Sequence, residues 1–359
     1  MTEEAKSSKA FYSRVSCVEE TIYSSDGVSN LRMKVWDPVD VTPKAIVQLV
    51  HGMAEHIDRY NDFAHFLAER GFVVVGHDHI GHGKSAGSAQ DLGVMPLHGG
   101  KEVLIADVHK VRLTVQSCYD ALPYFIFGHS MGSFVTRCYL AKYSLGVAGA
   151  IICGTGNQPL PVSLFGRSVA RAIGTFEGEE HKSSFLETLI IGAFALPFYD
   201  EPSKNAWISS DPAVVASYDA DPLSGITFSA GGFATLTDLS AEAALPKTSD
   251  IPAALPLLFI AGDKDPVGMF GKDVVKAAEA YRKQGSTEVE VRIYPGMRHE
   301  ILNEPGNYRV YNDVVDWLKG NLFCIYNAIS DKILFRWVDL AQMLQVLIYP
   351  IKRLTMQRY

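Results

Sequence analysis

Gly128-His129-Ser130-Met131-Gly132 stands where an apolar run, Tyr124 to Phe127, gives way to a helical pattern through Phe134, Cys138, Tyr139 and Ala141. A serine on a sharp strand-to-helix turn is presented as a nucleophile, and glycines flank it because side chains there would collide with the neighbouring strand and helix. The start of the helix also aims free amides and a positive dipole end at the hydroxyl. The same pattern recurs at Gly83-Lys84-Ser85-Ala86-Gly87, but that copy follows a glycine-rich loop and leads into Ser88-Ala89-Gln90-Asp91, with no apolar-periodic helix. Context therefore selects Ser130.

A serine hydroxyl is a poor nucleophile at neutral pH. It needs a base within reach and a third group that holds the base in the right tautomer. Two later apolar runs end in suitable residues: Gly262-Asp263-Lys264-Asp265-Pro266 and Tyr294-Pro295-Gly296-Met297-Arg298-His299. His299 is the expected base. Asp263 and Asp265 compete for the orienting role; Asp265 is preferred because it lies at the fourth position of Gly262-x-x-Asp and Pro266 stiffens its loop, whereas Asp263 is as readily a turn-former. The chain order Ser, Asp, His is that of the α/β-hydrolase fold. Acyl transfer also needs two backbone donors for the oxyanion, expected from Met131 after the nucleophile and from Met53 in the loop His51 to His56. His77, Asp78, His79 and His82 invite a metal reading, but their turn is glycine-rich and no helix carries histidines four apart, so structural support beneath the site is preferred. No cofactor or metal is expected.

The elements that must position these groups follow from the apolar pattern. Strand-like runs at Ala45 to Val50, Phe72 to Val75, Phe125 to Phe127, Ala148 to Ile152, Leu257 to Ile260 and Val289 to Ile293 are separated by stretches long enough for helices. Continuous apolar strands with helical crossovers predict a mostly parallel sheet covered on both faces. Two runs on either side of Ser24-Ser25-Asp26-Gly27 predict an antiparallel hairpin at its edge. The rhythm stops after Gly156 and resumes at Ile251, so the chain divides into core (1–156), an inserted helical lid (157–250), core again (251–320) and a C-terminal helical extension (321–359).

The 359 residues can bury a large core, and a net charge of −7 without a basic block excludes nucleic acid as the main partner. The polar N-terminal residues and five scattered cysteines predict a cytoplasmic protein with reduced thiols. In the extension, polar Lys332, Arg336, Asp339, Gln342 and Gln345 recur at helical spacing. That pattern fits peripheral membrane contact, which the lid could share, equally with packing on the chain itself or on a second copy. The oligomeric state is left open.

The motifs His51-Gly52-x-x-Glu55-His56-x-x-Arg59-Tyr60, His77-Asp78-His79-x-Gly81-His82-Gly83-x-Ser85 and Gly128-His129-Ser130-Met131-Gly132 resemble those of the monoacylglycerol lipase and lysophospholipase group of α/β-hydrolases, catalogued with serine aminopeptidases. The resemblance spans Ile46 to about Leu318. It implies a serine esterase acting on single-chain acyl esters, with Ser130 as nucleophile, Asp265 and His299 completing a triad, and Met53 and Met131 as oxyanion donors. Ser133 departs from the glycine common at that position. An acyltransferase, thioesterase or peptidase could use the same triad, and a non-catalytic binding protein could keep the fold.

Overall fold

The computed structural model describes residues 14–327 except 40, 120 and 246–249. Eight strands form one sheet: β1 (Val15–Tyr23), β2 (Asn30–Pro38), β3 (Ala45–Val50), β4 (Phe72–His77), β5 (Tyr124–His129), β6 (Gly149–Cys153), β7 (Leu257–Gly262) and β8 (Val289–Tyr294), in the order β1-β2-β4-β3-β5-β6-β7-β8. β1 and β2 form the expected antiparallel hairpin, β2 meets β4 antiparallel, and the remaining pairs are parallel. The hairpin turn is held by a buried aspartate, since Asp107 accepts hydrogen bonds from Ser24 Oγ (2.8 Å) and Ser25 N (2.6 Å).

Every residue of β3, β4, β5 and β7 is buried, which is why these segments read as mainly apolar runs instead of alternating. Helices α1 (Asn61–Ala68), α2 (Gly100–Gln116) and α3 (Met131–Tyr143) make the crossovers. On one face Gln48 of β3 donates to Val108 O of α2 at 3.1 Å. On the other, Phe63 of α1 packs its ring against Phe127 and Tyr311. The sheet is thus sandwiched between helices, and its strand ends are free to carry the site.

Between β6 and β7 the chain forms α4 (Leu160–Glu177), α5 (Ser184–Ile190), α6 (Pro212–Ala220) and α7 (Ala230–Ala243), with 3-10 turns at Gly192–Phe198 and Ala206–Ile208. The segment expected as one inserted unit is not uniform. Phe233, Ala234, Leu239 and Ala243 of α7 belong to the same hydrophobic core as the sheet, whereas α4 leaves Phe165 and Phe176 exposed. After β7, α8 (Lys272–Lys283) lays Tyr281 on Phe259.

A second unit begins at Asp313, and its described residues, 313–327, are helical. The amphipathic pattern read between Lys332 and Gln345 lies outside the described residues. No helix among the described residues is long and apolar enough to cross a membrane. All five cysteines are free thiols.

Candidate active site

Ser130 caps α3 with φ 54° and ψ −119°, a conformation that L-residues adopt only under strain. Its amide is tied to Cys153 O of β6 at 3.0 Å, and Ser133, the departure from the family pattern, donates from Oγ to Ser130 O at 2.6 Å. Ser133 therefore bonds the turn on which it stands.

The flanking glycines are required by space. A Cβ on Gly128 would lie 2.2 Å from Thr136 Oγ1 and 2.3 Å from Gly132 O, and one on Gly132 would lie 2.0 Å from Val50 O. Gly132→Ala is accordingly expected to separate β3 from α3 at a cost of about 3 kcal/mol or more. Urea unfolding or the soluble yield would check this; a variant as stable as the parent would overturn the packing argument.

The second Gly-x-Ser-x-Gly serves structure. Ser85 is buried, donates to Asp78 O at 2.7 Å and accepts from Arg32 N at 2.8 Å. Asp78 in turn accepts from Ile57 N (2.8 Å) and Lys84 N (2.9 Å), fixing the loop that precedes α1. Among the described residues no group of three or more His, Cys, Asp or Glu could hold a metal ion.

At the ends of β7 and β8 the two aspartates separate. Asp265 is fully buried, and its Oδ1 accepts from His299 Nδ1 at 3.0 Å and from Val267 N at 2.9 Å. Asp263 instead accepts from Gly296 N at 2.7 Å and closes the turn after β8. Ser130 and His299 line one cleft of about 180 Å³, whose walls include Met53, Met131, Phe134, Phe165, Leu189 and Phe194. The N–H groups of Met53 and Met131 have no acceptor among the described residues.

Part of the cleft wall belongs to a polar network. Glu55 Oε1 accepts from Gly52 N (2.5 Å), Tyr60 OH (2.8 Å) and His129 Nδ1 (3.2 Å), and Arg59 pairs with Glu300. Burial alone would raise the Glu55 carboxyl, but the bonded His129 and the nearby Arg59 hold it below its usual range. Burial likewise pushes His129 down, and the Glu55 carboxylate more than reverses this. His51 lacks such a partner and is lowered to about 3 by burial and by His82. It is neutral, with Nδ1–H donating to Gly52 O (2.8 Å) and Nε2 accepting from His79 N (3.0 Å). That pair pins the loop carrying Met53.

Residues not singled out in the sequence also reach His299. The Trp207 ring lies 5.0 Å from the imidazole, and Glu300 N donates to Ile208 O at 2.7 Å. Arg298 pairs with Glu201 and donates to Ser209 O at 3.2 Å, while its backbone N–H donates to Glu304 Oε1 at 2.7 Å. The inserted segment thus grips both sides of the histidine. No periodicity in the sequence signals these pairings, which join residues about ninety positions or more apart.

The model of the family described as serine aminopeptidase, S33, matches residues 41–306. A monoacylglycerol lipase of Mycolicibacterium smegmatis is 29% identical over 310 residues, covering 84% of this chain and 97% of that protein. The human monoglyceride lipase is 27% identical over 289 residues, covering 79% and 84%. The crystal structure of a thermostable carboxyl esterase from Bacillus coagulans, in complex with glycerol, superposes with a TM-score of 0.77 at 32% identity, covering 86% of this chain and 99% of that one. A family match over more than half the chain, on this sheet and this serine turn, makes the protein a serine ester hydrolase that belongs to the serine aminopeptidase S33 family of α/β-hydrolases, in its monoacylglycerol lipase and lysophospholipase group.

Proposed function

We propose that the enzyme cleaves single-chain acyl esters, monoacylglycerols or lysophospholipids, with Ser130, His299 and Asp265 as its triad. The observation that carries this reading is that Ser130 and an Asp265-bonded His299 open into one cleft with mainly apolar walls. With Nδ1–H given to Asp265, His299 keeps the tautomer whose Nε2 can take the serine proton. Ser130 Oγ then attacks the ester carbonyl, and the amides of Met53 and Met131 receive the developing oxyanion. His299 returns the proton to the departing alcohol. Water, deprotonated by the same imidazole, releases the fatty acid from the acyl-enzyme.

The apolar walls suit the acyl chain and favour it over a peptide. Glu55, His129, Glu300 and Tyr218 give the cleft a polar end for the head group. Hydrolysis of monoacylglycerols, lysophospholipids and p-nitrophenyl esters, each measured with and without a fluorophosphonate probe, tests the reading. Expected are fatty-acyl ester turnover and its loss on labelling; turnover of aminoacyl substrates alone would overturn it.

In this mechanism Arg298 is a positioning residue, because it ties the loop of His299 to Glu201 and Ser209. Arg298→Ala is expected to lower kcat about 10- to 100-fold with little change in KM, and Arg298→Lys to recover part of the loss. A purely structural role would change the amount of folded enzyme and leave kcat per labelled site unchanged.

Exposed Phe165, Phe176, Leu196 and Tyr199 support peripheral contact of the inserted segment with a lipid surface, where such substrates reside. Free thiols support a reducing, cytoplasmic setting.

A further inference from the structure

The cleft has a second polar place, on the wall shared by α4 and α7 and the loop after β6. Ser163 of α4 and Ser240 of α7 are both buried, and their hydroxyl oxygens are 3.0 Å apart. Ser240 Oγ donates to Gln158 Oε1 at 3.3 Å. Because the Ser240 proton is committed to Gln158, Ser163 donates to Ser240. The chain of hydrogen bonds then ends in the Gln158 amide N–H groups at one side and the Ser163 lone pairs at the other. All three residues line the cleft beside Phe134 and Leu236.

Joining two helices needs only the two serines. Gln158 is not required for that contact, yet its loop is held in place. The buried guanidinium of Arg137 donates to Gly156 O at 3.0 Å and Thr155 Oγ1 at 3.2 Å. An amide anchored in this way is a preorganised donor, and a plain alkyl chain drawn past it would leave the donor unmatched. Resting on the esterase reading above, we propose that Gln158, Ser240 and Ser163 form a polar subsite for an oxygen carried along the acyl chain. The preferred substrates are then esters of hydroxy or oxo fatty acids.

The test uses methyl esters, which lack head-group hydroxyls, of stearic acid and its positional hydroxy isomers. For each enzyme the ratio of kcat/KM between hydroxylated and plain ester is measured, a quantity independent of the folded fraction. One hydroxyl position is expected to be favoured about fivefold, the effect of one net hydrogen bond. Gln158→Leu and Ser240→Ala should each move that ratio towards unity. Equal ratios at every position, or a preference that both variants retain, would overturn the subsite and leave the esterase reading standing. A Gln158→Leu effect confined to glycerol esters would also overturn it, assigning the amide to the head group. Failure to hydrolyse any acyl ester would overturn both.

Discussion

Ser130→Ala is expected to lower kcat by about 10⁶-fold and to abolish fluorophosphonate labelling, since the acyl-enzyme can no longer form and the remaining groups act as one unit with the missing hydroxyl. The fold should survive, because the turn is fixed by main-chain bonds: the amide to Cys153 O and the carbonyl to Ser133 Oγ. Ser130→Gly sharpens the test. With φ at 54° the serine stores strain of about 1–3 kcal/mol, and glycine relieves it while forfeiting about 1 kcal/mol to the unfolded chain. The net expectation is an inactive variant up to about 2 kcal/mol more stable, read by chemical denaturation. Loss of activity with a gain in stability is the signature of a strained functional residue. Ser85→Ala provides the control; it should remain labelled and active but lose about 1–3 kcal/mol by orphaning Arg32 N. A Ser130→Ala enzyme with parental turnover would move the nucleophile elsewhere.

The strand-to-helix turn was legible because its constraint is local. Gly128 and Gly132 are demanded by contacts within β5, β3 and α3, and the same few residues carry both the apolar run and the helical period. The parallel sheet was legible for a similar reason, since strands buried on both faces cannot hide their composition. Other features depend on partners far along the chain. Trp207 meets His299 across 92 residues, and Arg298 meets Glu201 across 97, pairings that no periodicity announces. Helix α7 was read with the insertion because a buried helix after a lid has the same local pattern as a lid helix. Its place in the core follows from Phe233 and Leu239, which share the sheet's hydrophobic cluster, and from Cys138 Sγ of α3, which donates to Leu239 O from 101 positions away. The two aspartates of Gly262-Asp263-Lys264-Asp265 are separable in sequence only by their position after Gly262 and by loop stiffness; space separates them completely, one under the imidazole and one across the β8 turn.

That separation leads to the second large effect. Asp265→Asn is isosteric and should keep the fold, but Asp265 Oδ1 accepts from both Val267 N and His299 Nδ1, and only one end of the amide can take that place. With the oxygen there both bonds persist but the negative charge that stabilises the imidazolium is lost; with the nitrogen there Val267 N loses its acceptor and Nδ1 meets a donor, which favours the imidazole tautomer that carries its proton on Nε2. That tautomer offers Ser130 a proton where a lone pair is needed, and kcat at neutral pH is expected to fall about 10⁴-fold with KM little altered. Fluorophosphonate labelling should slow in parallel, because it depends on the same activated hydroxyl. Asp263→Asn leaves the Gly296 N–H with an equivalent acceptor and should change kcat by no more than about twofold. The reverse ordering, with Asp263→Asn crippled and Asp265→Asn active, would transfer the orienting role to Asp263. Comparable large losses in both, with lowered unfolding midpoints, would mean that the loop acts through its shape and that the His299 contact is incidental.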